Sequence, residues 1–70
     1  MTDVRAIEWV DAAGQRLTCH EKLKVLTENL TELQAMAQDV LEEALILKAD
    51  EQQIRQVLST LIAELENPYV

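Results

Sequence analysis

Residues 23–47 read LKVLTENLTELQAMAQDVLEEALIL. Within them Leu23, Leu26, Leu30, Leu33, Ala37, Val40, Ala44 and Leu47 recur at alternating spacings of three and four. That pattern lays one narrow apolar stripe along a helix, and the stripe calls for a second helix to cover it. Met36, Leu41, Leu45 and Ile46 lie outside the stripe and broaden the apolar surface over its later part. One covering helix needs one stripe, whereas two need a wider face.

On the N-terminal side, Thr18-Cys19-His20-Glu21 has the pattern of a capping box. The threonine oxygen accepts from the N–H three residues on, and the glutamate reaches back. A helix over residues 19–48 is predicted, roughly 45 Å long, with Lys48 at the negative end of its dipole. Asp50, with Gln53 three residues later, caps a second helix over 51–66. Asn67-Pro68 ends it, because a residue before proline avoids the helical region. The short link at Ala49-Asp50 makes the two helices antiparallel neighbours.

Residues 1–17 read as a β-hairpin arm. Asp11-Ala12-Ala13-Gly14 has type I turn chemistry with glycine at the left-handed position. Val10 then opposes Arg16, and Trp9 opposes Leu17. The competing reading is a short helix through Val4, Ile7 and Val10. The C-terminal residues 67–70 form a tail whose tyrosine, Tyr69, is expected to fold back on the chain. The whole is expected to be one small domain, mainly α. The shorter helix leaves Leu23, Leu26 and Leu30 over, to be buried by the N-terminal hairpin or by the same helix of a second chain; the second cover makes them a dimer seam and suggests a dimeric four-helix bundle.

Seventy residues bury little surface alone, so small chains lean on disulfides, metal or association. Cys19 is the only cysteine, which rules out an internal disulfide. A lone thiol without an apolar leader suggests the cytoplasm, and no run is apolar enough to span a membrane. The net charge of −7 comes from residues 25–70, where nine acids face Lys48 and Arg55. An acidic body disfavours nucleic acid and anionic lipid as partners.

No catalytic set is legible, and no enzyme activity or cofactor is expected. Cys19 and His20 form the one reactive-looking pair. Neighbours on a helix point about 100° apart, and one Cys with one His supplies half a zinc site. The i,i+4 acids Glu28/Glu32 and Asp39/Glu43 lack the Glu-x-x-His partners of a bundle metal site. A docking face is the better expectation: Leu45 and Ile46 as apolar anchors within the acidic rim of Asp39, Glu42 and Glu43, suited to a basic protein. Two thin helices are not expected to enclose a ligand cavity.

Around Ala49-Asp50-Glu51-Gln52 the chain resembles the bend of the plasmid Rop repressors, small dimers of antiparallel helical hairpins. The resemblance covers the turn and the hairpin architecture. It does not extend to residues 1–17, and the first helix lacks a matching basic and aromatic face. The sequence thus supports a non-enzymatic, homodimeric protein-interaction or regulatory module. Its rivals are a thiol- or metal-dependent sensor built on paired Cys19/His20, and a Rop-like RNA binder using Lys22, Lys24 and Trp9.

Overall fold

The computed structural model describes residues 2–69. The chain is mainly helical, with α1 at His20–Ile46 and α2 at Glu51–Ala63. Two compact units share the chain, Met1–Gln34 and Ala35–Val70, and α1 contributes to both.

In the first unit the arm begins with a single 3-10 turn, Val4–Ala6, capped by the Asp3 carboxylate on the Arg5 N–H. The expected β-hairpin does not form as strands: no sheet is present among the described residues. What remains is one antiparallel bridge between Val10 and Arg16. Two backbone bonds flank it, from Asp11 N–H to the Gln15 carbonyl at 2.8 Å and from Leu17 N–H to the Trp9 carbonyl at 3.0 Å. The reason lies at Asp11. Its carboxylate accepts the N–H groups of Ala13 and Gln15, both at 2.9 Å, so Gln15 has no N–H to extend a ladder. Gly14, at φ +84°, makes the turn that a side chain would strain. Beyond Leu17 only two residues precede α1, which leaves no length for a second strand.

α1 starts one residue later than expected. The Cys19 carbonyl accepts from Leu23 N–H at 3.0 Å, which puts Cys19 at the cap position. No bond joins Thr18 to Glu21 among the described residues, so the capping box is not made. The first half of α1 lies along the arm. Gln34 donates its side-chain N–H to the Thr2 carbonyl at 3.2 Å, a contact across 32 residues of sequence.

In the second unit α1 and α2 form a hairpin-like pair. Ala37, Val40, Leu41 and Ala44 of α1 and Ile54 and Leu58 of α2 are half-buried. The two alanines keep this face of α1 low. The bend follows α1 at once: Lys48 takes the left-handed conformation at φ 66°, and Asp50 caps α2 by accepting from Gln53 N–H at 2.9 Å. α2 stops at Ala63, three residues short of the predicted end. Asn67 turns locally instead, its side chain accepting from Tyr69 N–H at 2.9 Å. Tyr69 is 94% exposed, so the expected folding back does not occur.

No described side chain is buried. The chain exposes 6533 Å², against about 4,450 Å² for a folded globular monomer of 8.0 kDa. Its unfolded chain would expose about 11,600 Å², so one copy covers less than half of that, where about 60% is usual at this size.

Candidate interaction surface

The arm and α1 line an open cleft of about 460 Å³ in the first unit. Ile7, Trp9, Leu17 and Leu23 supply its apolar walls, and Arg5, Arg16, His20 and Lys24 most of its polar edge. A second open cleft, about 500 Å³, lies between Thr2–Arg5 and Thr31 with Gln34. Both are open surface clefts between arm and helix, and neither encloses a cavity. The Trp9 indole N–H is buried without a partner. A buried donor left unpaired costs about 1–3 kcal/mol, so the arm is held by apolar contact against a polar penalty.

Charged groups in this unit pair only at the surface. Arg16 reaches Glu8 at 3.4 Å and Arg5 reaches Asp3 at 3.3 Å, all four groups exposed. Pairs of this kind add little to stability. The Arg5 backbone N–H, and then its guanidinium, hold the Asp3 carboxyl below its ordinary range.

Cys19 and His20 stand next to one another and are exposed at the start of α1. Among the described residues no three His, Cys, Asp or Glu side chains gather as a metal site. Glu28, Glu32, Asp39, Glu42 and Glu43 all face solvent. No helix among the described residues is long and apolar enough to cross a membrane.

Of the three seam residues read from the sequence, Leu23 and Leu30 are half-buried and Leu26 is exposed. The chain's own cover is displaced from the apolar stripe. In the first unit, Leu23, Thr27, Leu30 and Gln34 are the half-buried positions of α1, while Leu26 and Leu33 remain 37% and 46% exposed. Two polar residues are therefore sheltered where two leucines are not. In the second unit Met36, Leu45 and Ile46 of α1, Leu47 just past its end, and Val57, Leu61 and Ile62 of α2 stay open. Ile46 is 76% exposed, and Glu42 and Glu43 precede it in sequence.

The chain matches no protein-family model, no curated protein and no solved structure.

Proposed function

We propose that this chain is a non-enzymatic helical interaction module that works as a homodimer, with helix-to-helix contact as its business. The observation that supports the reading is that, among the described residues, no side chain is buried although two helices are well formed. Its surface exceeds that of a globular monomer by about 2,000 Å², while stable interfaces take about 800 Å² from each partner, and obligate dimers more. A second copy supplies matching helices and relieves the exposure of Leu26, Leu33, Val57 and Leu61. The assembled module presents Leu45 and Ile46 beside the acids Asp39 and Glu42 to a basic protein, whose approach the acidic body accelerates.

Sedimentation equilibrium across micromolar concentrations tests the reading. A dimer, with helix content rising alongside association, is the expected result. A stable, cooperatively folded monomer at high micromolar concentration overturns it.

A further inference from the structure

The two leucines left open in the first half of α1 have a register of their own. Leu26 and Leu33 share one heptad position with the half-buried Val40, and Lys22, Asn29, Met36 and Glu43 share the position beside it. On a helix these two positions adjoin and make a single flank. The residues that the fold shelters in the first unit, Leu23, Thr27, Leu30 and Gln34, belong to the other flank. α1 therefore carries two contact sides, one taken by its own chain and one that is open at Leu26, Leu33 and Met36 and half-covered at Val40. Helices in four-helix bundles have two such sides, one for each neighbour.

The charge on α1 is lopsided along its length. Lys22 and Lys24 balance Glu21 and Glu28 in the first three turns, while Glu32, Asp39, Glu42 and Glu43 have no base among them. Resting on the homodimer reading, we propose that the open flank seats the same flank of a second copy's α1 in antiparallel orientation, with the two-fold axis at Leu33. In that register Leu33 meets Leu33, and Leu26 meets Val40 of the second copy. Lys22 falls within one residue of the second copy's Glu43, and two-fold symmetry repeats that pair. Parallel packing stacks like on like: Lys22 on Lys22, Asp39 on Asp39 and Glu43 on Glu43, which costs free energy. The antiparallel register buries the same leucines and turns the charge asymmetry into attraction.

The orientation is read by cross-linking on exposed positions, in chains that also carry Cys19→Ser. Antiparallel packing sets two copies of residue 22 about 33 Å apart, counted along the helix axis. Lys22→Cys chains alone should not form a disulfide, nor should Glu43→Cys chains alone, and an equal mixture should link. Self-linking of either variant overturns the orientation and leaves the homodimer intact. Sedimentation of the same variants under reducing conditions keeps the two readings apart, since a monomer there removes both. Charge reversal supplies a second arm. Lys22→Glu or Glu43→Lys should each weaken association about tenfold at low salt, because two pairs are lost at once. The double variant should recover most of it. Failure to recover overturns the pairing.

Discussion

The N–H of Ala49 donates to the carbonyl of Ala44 at 2.9 Å, closing the end of α1 over Lys48. A second bond, from Lys48 N–H to the Leu45 carbonyl at 3.1 Å, completes a Schellman motif. The residue at its centre is usually glycine, since the left-handed backbone crowds any Cβ. Lys48 sits there at φ 66°. Lys48→Gly should stabilise the hairpin by about 0.5–1 kcal/mol, seen as a rise of a few degrees in the thermal midpoint. An unchanged or lowered midpoint would mean that the lysine side chain holds the bend in a way the backbone does not reveal.

Trp9 holds the arm by its ring and not by its N–H, which has no acceptor. Trp9→Phe should therefore keep stability within about 1 kcal/mol of the parent, because the unpaired donor goes while most apolar contact stays. Trp9→Ala should cost about 2 kcal/mol, less than a fully buried aromatic would. Urea titrations of the two variants check this, and native Trp9 emission should lie to the blue of the urea-unfolded chain. Equal losses in both variants would assign the indole N–H a role.

Cys19 is exposed at the cap of α1, and only its backbone carbonyl takes part in the cap. Cys19→Ser should leave the melting temperature unchanged, and EDTA should have no effect. A large drop on chelation would point to a metal shared between copies.

Ile46→Asp tests the docking face. At 76% exposure the substitution should alter stability by no more than about 0.5 kcal/mol, while binding of a basic partner is lost. Collapse of the helical circular dichroism signal would place Ile46 in the association seam instead.

The N-terminal turn should respond to acid. Asp3 has a depressed pKa in the folded chain, so its contribution is complete above the ordinary value of 3.8 and fades as pH falls through the lower folded value. The protection factor of the Arg5 amide, its NMR exchange rate set against the intrinsic rate at each pH, should hold from neutrality to about pH 4 and fall below it. Loss of protection already at pH 5 would show that the carboxylate does not hold this turn.

Both helices and the bend were legible in the sequence because they rest on local chemistry. The period of the leucines sets α1, and Asp50 with Gln53 sets the start of α2. What escaped was decided by competition among polar groups. The Asp11 carboxylate takes the N–H that a hairpin ladder required, a rivalry that turn propensities do not weigh. Which flank of α1 the arm would occupy was equally hidden. Thr27 and Gln34 look like solvent positions, yet Gln34 reaches the Thr2 backbone and the shelter falls on their side. Leu26 is open as the length mismatch of the helices predicts, whereas Leu33, expected under the second helix, is 46% exposed. Leu45 and Ile46 fall off the heptad, and both are exposed, at 40% and 76%.

Melting a single copy wets less new surface than melting a globular chain of its size, because about 44% of its unfolded surface is covered where about 60% is usual. The heat capacity of unfolding scales with newly wetted apolar area, so the isolated chain should show a shallower stability curve. The separation of copies would then add the remaining curvature. Calorimetry at rising protein concentration would see that curvature appear.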